Sequence, residues 1–487
     1  MTIGKVYIVG AGPGDPQLLT LKAKLVLQKA DVVLYDHLAH PNCLHHCDSK
    51  TVKINVGKQK GRHSQNQNAI NNLLSKHAKN GQMVVRLKGG DPMIFGRGGE
   101  EIQHLINNNI PFEVVPGITS AIAVPTSAGI PLTHRDLSRS VAFVTGTTST
   151  GSANHQLPIA DTLVLLMSVS HIESLVPQLI GHGSFTAKTP IAIISQGTLA
   201  NQISLLSTLQ TIQTDLKKQT VQYPALMVVG DVVSVASSFN WKSTLPLHNK
   251  RVVVLRAKDQ ASQLADQLSL LGAEINVLPV IETVPIANTL ALITAKSLTP
   301  ITMLIFTSQN GVNYFFEACF KQGIDARAFA NKTIVSIGPK TSDSLKKWGI
   351  IPNSQASTFV TEGVIDVLPK QLDKHHVALP LAKKASNDIQ IECQKRGATV
   401  TQWSLYDTLK TQHEDVDIQS KDAILFTSAS TVHHFFECAS WQQQAIDAFS
   451  IGPKTTQALK LYIDGPIYQS AESTIDSLIA ELITHNQ

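Results

Sequence analysis

No stretch of this chain approaches the roughly 18 consecutive apolar residues that a membrane-spanning helix needs. The amino terminus reaches Gly10-Ala11-Gly12-Pro13-Gly14-Asp15 too soon to hold the apolar core of a secretory leader. A membrane protein is therefore not expected, and a cytoplasmic location is. Cysteine is scarce: five residues, Cys43, Cys47, Cys319, Cys393 and Cys438, an odd and scattered set that offers no disulfide framework and suits a reducing compartment. There is no dense basic block, and a formal charge of +5 over 487 residues gives no reason to expect nucleic-acid binding, while leaving acidic small molecules as fitting ligands. Metal-ligand spacing is also missing. Cys43 and Cys47 lie among His37, His40, His45 and His46, but no distant second pair accompanies them, so no metal is expected and the segment reads as a polar helix. What the chain has is length for three or four compact units and, at 43% apolar residues, enough material to fill their cores.

Its most informative stretch is Val84 to Glu101, VVRLKGGDPMIFGRGGEE. A buried-strand pattern breaks at Gly89-Gly90-Asp91-Pro92, where two adjacent glycines allow a ligand to lie against bare main chain and Pro92 stops the strand. Gly96, Gly98 and Gly99 follow, with Arg97 as an anion contact, before Glu100 and Glu101 open a helix. A second such loop comes earlier, where the strand Lys5 to Val9 runs into Gly10–Pro16. Its spacing inserts a proline, and no acidic residue ends a second strand at the distance a dinucleotide site requires, so the Rossmann fingerprint is not met.

Around these loops the first half alternates strands and helices. A helix is expected over Leu18–Ala30, then a strand Asp31–Tyr35 that puts Asp36 at its carboxyl end, where α/β proteins place ligands. After the strand Val52–Val56 comes a glycine-bounded basic loop with Lys58 and Arg62, placed to meet an anion. Strand Pro111–Val115 leads into the small-residue segment Pro116–Asp136, where Thr119 and Ser120 can donate hydroxyls. VAFVTG, DTLVLLM, TPIAIISQGT and YPALMVVGDVV then read as strands of a second lobe, with Met167 ending one and Gly197 following another.

In this order the landmarks resemble the uroporphyrinogen-III C-methyltransferases of the tetrapyrrole methylase family, over about the first 240 residues. The resemblance implies an α/β fold of two lobes, about 1–117 and 118–240, that holds S-adenosyl-L-methionine between them in a homodimer. It also implies methylation of uroporphyrinogen III at C2 and C7 to precorrin-2, toward sirohaem or cobalamin. Cofactor contacts would be Pro13, Gly89, Gly90, Asp91, Ile94, Thr119, Ser120, Met167 and Gly197. Asp36 would be the proton acceptor and Lys58 the proton donor, with Arg62, Arg97, Arg135 and Arg139 anchoring the polyacidic substrate. The family's usual residues are absent at Ser127, Thr147 and Leu166, so substrate contacts there are expected to differ.

Residues 241–250 read as a linker, without period. Beyond it the chain repeats itself. IFTSQNGVNYFFEACF from Ile305 answers LFTSASTVHHFFECAS from Leu425, and SIGPKTSDSLKKWG from Ser336 answers SIGPKTTQALKLYI from Ser450, which implies two similar α/β lobes. Residues 251–487 resemble uroporphyrinogen-III synthase, which cyclises hydroxymethylbilane. That resemblance implies one lobe from about 251–283 plus 410–487 and an inserted lobe over about 284–409. Tyr406 matches the tyrosine proposed to help expel the substrate hydroxyl, Thr455 a cleft threonine, and Arg256, Thr307 and Thr427 are further substrate contacts. The segment Leu381–Asn387 lacks the arginine-glycine pattern common there. Three readings stay open: a bifunctional enzyme, a methylase with a noncatalytic tetrapyrrole-binding module, and a related methylase acting on another acceptor.

Overall fold

The structure is a computed structural model and describes residues 3–48, 50–57, 67–147, 157–181, 183–255, 258–358, 361–411, 418–438 and 445–486. Its first lobe is a wholly parallel sheet of β1 (Val6–Gly10), β2 (Val32–Tyr35), β3 (Val52–Asn55), β4 (Val84–Lys88) and β5 (Phe112–Val115), in the order β3-β2-β4-β1-β5. Both faces are covered, as parallel sheets require. Helix Leu21–Gln28 packs Ala23, Val26 and Leu27 on Val9, Val33 and Leu87, while helices Gln67–Lys79 and Gly98–Asn107 close the other face with Ile70, Leu74 and Leu105. The first helix starts later than its apolar pattern suggests. Thr20 caps it by accepting the Ala23 amide at 3.2 Å, and Pro16–Leu18 forms a separate short turn. The register aligns Gly10 with Lys88, Tyr35 with Leu87 and Val9 with Val115, so four strands end together at one edge.

The second lobe contains β6 (Val141–Thr145), β7 (Thr162–Leu166), β8 (Pro190–Ser195), β9 (Ile203–Thr208) and β10 (Ala225–Val229), ordered β6-β7-β10-β8-β9. Only β6 and β7 run parallel; the other pairs are antiparallel. Helix Ser120–Ser127 packs one face and helix Ile172–Gly181 the other. β9, ISLLST, was not among the expected strands. It is an edge strand whose serines and threonines dilute the apolar alternation by which half-buried strands are recognised.

The second half is built from β11 (Arg251–Val254), β12 (Glu274–Val277), β13 (Ile281–Pro285), β14 (Met303–Phe306), β15 (Thr333–Ser336), β16 (Ser354–Gln355), β17 (His376–Ala382), β18 (Thr399–Lys410), β19 (Ala423–Phe426), β20 (Asp447–Ser450) and β21 (Ile467–Gln469). They form two sheets, β12-β11-β19-β20-β21 and β13-β18-β17-β14-β15-β16. AEINVLPVIET, expected as a single strand, is two. Pro279 has no amide to continue the ladder, and the chain leaves the first sheet there to begin β13 in the second. The duplication extends to side chains: Ser336 bonds Ser342 at 2.7 Å and Ser342 bonds Gln355 at 2.7 Å, while Ser450, Thr456 and Gln469 repeat the chain at identical spacing. The stretch between the halves is not a free tether. Leu247 is fully buried in the β11–β12 core and its amide bonds Leu271 O at 2.9 Å.

Candidate functional site

Three main-chain segments meet at the aligned edge of the first sheet, and glycine is what lets them do so. A Cβ on Gly10 would lie 2.5 Å from Gly117 Cα and 2.6 Å from Gly90 O, distances no side chain tolerates. Gly12 and Gly90 exchange amide bonds, N to O at 3.2 Å and 2.6 Å, knitting the two glycine loops into one. Asp91 locks the third segment to them: Oδ1 accepts the Met93 amide at 2.7 Å and Oδ2 accepts the Gly117 amide at 3.0 Å. Gly90 has φ +65°, and a methyl there would point toward the Ser120 amide, 3.7 Å away. The missing side chain leaves the main chain of Gly90 bare beside Thr119 and Ser120 at the start of a helix.

The second lobe meets the first glycine loop. Helix Ser120–Ser127 sets Val124 against Gly197, where a Cβ would approach the Val124 side chain to 2.4 Å. Gly14, next to Pro13, comes close to the Thr198 hydroxyl, and the Asp15 amide donates to Thr198 Oγ1 at 2.9 Å. Ile94 and Met167 are both exposed, Ile94 just past Asp91 and Met167 just past β7. Backbone strain gathers here as well. Of the eight non-glycine residues with positive φ among the described residues, Phe95, Arg97, Met167, Gln196 and Thr198 flank these segments. Left-handed residues of this kind persist where the surroundings over-determine them, and they cluster at ligand sites.

Beside this junction stands a carboxylate with a buried support. Asp36 follows β2, and its Oδ1 is 2.5 Å from Arg86 Nη2. Arg86 is only 2% exposed on the central strand β4; it donates Nε to Glu101 Oε1 at 3.0 Å and Nη1 to Leu87 O at 3.2 Å. Lys88 Nζ also reaches Glu101 Oε1 at 3.0 Å, as does Gln67 Nε2 at 3.1 Å. Burial, followed by the neighbouring Arg86 charge, pushes the Lys88 ammonium below its usual range. Two buried cations are thus balanced by Glu101, which is fully buried, and by half-buried Asp36. This network escaped sequence reasoning, which took Arg86 and Lys88 as strand residues and Glu101 as a helix opener. Its signal was there: two basic residues at alternate positions of a strand buried on both faces require partners.

The remaining expectations fare unevenly. Lys58, Arg62 and Arg256 lie outside the described residues. Arg97 is already forked onto Glu100, Nε to Oε1 at 3.0 Å, as an exposed pair; Arg135 and Arg139 are exposed. His40–Cys47 is not the expected polar helix. It is a short 3-10 turn over Pro41–His46 with Cys43 and Cys47 buried, and burial raises the Cys43 thiol to about 12.

In the second half, Tyr406 on β18 is 6% exposed and its hydroxyl pairs with Ser308 Oγ at 3.0 Å, next to Thr307 at the end of β14. Tyr314 stacks on it with ring centres 5.3 Å apart. Burial raises the phenol, against the opposing pull of the Ser308 bond, so Tyr406 keeps its proton at neutral pH. Thr427 directly follows β19, and Thr455 lies buried in the helix after β20, so both belong to the other sheet. Each repeat therefore presents hydroxyls at the carboxyl edge of its own sheet.

Comparison with known proteins gives a consistent assignment. The family of Tetrapyrrole (Corrin/Porphyrin) Methylases matches residues 5–213, and Uroporphyrinogen-III synthase HemD matches residues 262–480. The porphyrin biosynthesis protein HemD of Ruminiclostridium josui is 36% identical over 99% of this chain and 98% of its own length. The uroporphyrinogen-III C-methyltransferase of Methanocaldococcus jannaschii is 48% identical over 48% of this chain and 99% of its own. A solved uroporphyrin-III C-methyltransferase from Thermus thermophilus, complexed with S-adenosylhomocysteine, is 39% identical over 48% of this chain and all of that one, with a TM-score of 0.42. The chain belongs to the tetrapyrrole methylases over its first half and to the HemD uroporphyrinogen-III synthases over its second, which makes it a bifunctional enzyme of tetrapyrrole biosynthesis.

Proposed function

We propose that the second half cyclises hydroxymethylbilane to uroporphyrinogen III and that the first half methylates that product at C2 and C7 to precorrin-2, with the halves divided at 241–250. The observation that carries the methylase reading is the convergence of Gly10, Gly90 and Gly117 backbones at the sheet edge where Asp36 follows β2, with Gly14 of the first glycine loop set against Gly197 and Thr198 of the second lobe. S-adenosylmethionine, when bound, supplies an electrophilic methyl. Gly89–Asp91, Thr119 and Ser120 are suited to hold it by main-chain and hydroxyl hydrogen bonds, with Pro13, Ile94, Met167 and Gly197 around it.

The chain's own task is then alignment and proton removal. Asp36, held by Arg86, accepts the proton lost when the methylated pyrrole system rearranges, the role that the resemblance implies for it. Exposed Arg135 and Arg139 suit the carboxylates of a polyacidic macrocycle. From the resemblance we also propose Lys58 as proton donor, Arg62 and Arg256 as anchors, a homodimer through the first half and a sirohaem or cobalamin destination, and from the composition a cytoplasmic location. In the second half, the protonated phenol of Tyr406 can hydrogen-bond a departing hydroxyl while Thr307, Thr427 and Thr455 contact substrate. The test supplies purified protein with hydroxymethylbilane and labelled S-adenosylmethionine. Uroporphyrinogen III without the methyl donor and a doubly methylated product with it are expected; methylation of added uroporphyrinogen III but no consumption of hydroxymethylbilane would refute the second activity.

A further inference from the structure

The two halves touch at a buried polar junction that belongs to neither proposed active site. Glu274 opens β12 in the second half, yet its Oε2 accepts the amide of Ala200 in the first half at 2.7 Å. Its Oε1 lies 3.7 Å from His40 Nε2 and 3.3 Å from Arg251 Nε. The His40 ring is oriented for this contact, because its Nδ1 accepts the Asn42 amide at 3.2 Å and so leaves the proton on Nε2, toward the carboxylate. Asn42 reinforces the seam by donating its side-chain amide to Ile275 O. Lys242, in the connecting stretch, adds a bond from Nζ to Thr198 O at 3.3 Å.

These contacts fall close along the chain to residues proposed for the methylase site. Ala200 is three residues beyond Gly197, in the strained loop where Gln196 and Thr198 are left-handed; His40 is four residues beyond Asp36. One carboxylate from the second half therefore grips a loop of each methylase lobe. Glu274 also sits at the amino end of its strand, whereas Thr427 and Thr455 lie at the opposite, carboxyl edge of the same sheet. A change at Glu274 can reach the methylase cleft without touching the synthase groups.

We infer that Glu274 is a positioning residue for methyl transfer: through Ala200 and His40 it holds the two methylase lobes at the spacing that binds the cofactor. The inference rests on the methylase reading above. Full-length Glu274→Ala, Glu274→Gln and His40→Ala are titrated with S-adenosylhomocysteine by calorimetry, and each is assayed for methylation of added uroporphyrinogen III and for consumption of hydroxymethylbilane. Both alanine variants should bind about three- to tenfold more weakly, the range of one ordinary protein hydrogen bond. The loss should appear in KM for the methyl donor more than in kcat, with hydroxymethylbilane consumption unchanged. Glu274→Gln, which keeps an oxygen for the Ala200 amide, should recover most of the affinity. Unchanged affinity in both alanine variants beside normal wild-type binding would overturn the inference and leave the methylase reading standing. A wild-type protein that binds no S-adenosylhomocysteine would overturn both. Should Glu274→Ala fail to fold, His40→Ala decides, since it removes the other partner through which Glu274 acts and leaves Arg251 and Asp422 paired.

Discussion

Replacing Asp91 is the most direct trial of how the glycine loops are held. Resemblance alone makes Asp91 a cofactor contact, but both of its carboxylate oxygens accept backbone amides, Met93 at 2.7 Å and Gly117 at 3.0 Å. Its first role is to tie the Gly89–Gly90 turn to the segment that starts helix Ser120–Ser127. Hydrogen bonds to a charged acceptor contribute about 1.5–3 kcal/mol each, and half-burial of Asp91 lowers that through solvent screening. If about 1–2 kcal/mol of this is felt at the cofactor, Asp91→Ala should weaken S-adenosylhomocysteine by roughly five- to thirtyfold. Asp91→Asn is no full rescue, because its NH2 must face either the Met93 or the Gly117 amide, donor against donor. It should fall closer to alanine than to wild type. Calorimetric titration reads the affinity, and circular dichroism reports whether the sheet is intact. An intact Asp91→Ala protein with wild-type affinity would refute the claim that this latch shapes the cradle.

Other outcomes follow from the same contacts. Arg86→Met removes one of the two cations that hold buried Glu101 and the partner of Asp36, so the free energy of urea unfolding should fall by about 3–5 kcal/mol, and a loss below about 1 kcal/mol would contradict the network's importance. Tyr406→Phe should slow hydroxymethylbilane cyclisation by about tenfold or more while leaving methylation of added uroporphyrinogen III untouched; equal rates would remove Tyr406 from the chemistry. Burial alone would raise Glu274, but the His40 bond, the Ala200 amide and Arg251 outweigh it and hold the carboxyl below its usual range. A depressed carboxylate gives stability that is present above its unfolded value, near pH 4.3, and lost as pH falls through its folded value. Wild type should therefore exceed Glu274→Gln by about 1 kcal/mol at neutral pH, with the gap closing in acid. The comparison is needed because Asp15, raised by burial in the same junction, acts in the opposite sense. A gap independent of pH would exclude the charge as its source.

What could be read from residues alone follows the range of the interactions involved. The glycine loops were legible because a strand ending in Gly89-Gly90-Asp91-Pro92 states its own local geometry. Asp36 was legible as a strand-end carboxylate, yet its support was not, because Arg86 is fifty positions away and Glu101 a further fifteen. The repeats in the second half were visible as matched words, and the Ser336–Ser342–Gln355 and Ser450–Thr456–Gln469 chains give those words a shared physical role. Two strands were misread for opposite reasons. β9 is too polar to stand out, and AEINVLPVIET is apolar enough on both sides of Pro279 to look continuous, although the proline sends its two parts to different sheets.

The strain in the first half also bears on why its cleft would hold a cofactor so dependent on alignment. Thr198, left-handed at φ +75°, is fixed from three directions: its amide donates to Gln202 at 2.8 Å, its hydroxyl accepts the Asp15 amide, and its carbonyl accepts Lys242. Gln202 in turn accepts the Ser127 hydroxyl at 2.6 Å, which ties the loop to the far end of the helix that begins at Thr119 and Ser120. Each bond offsets part of a conformational cost of order 1–3 kcal/mol per strained residue. A loop held in this way has little freedom left to lose when a ligand arrives, so more of the binding energy remains for aligning the reacting groups. Ser127 contributes here through a hydroxyl bond inside the protein, so its loss should loosen the Thr198 loop.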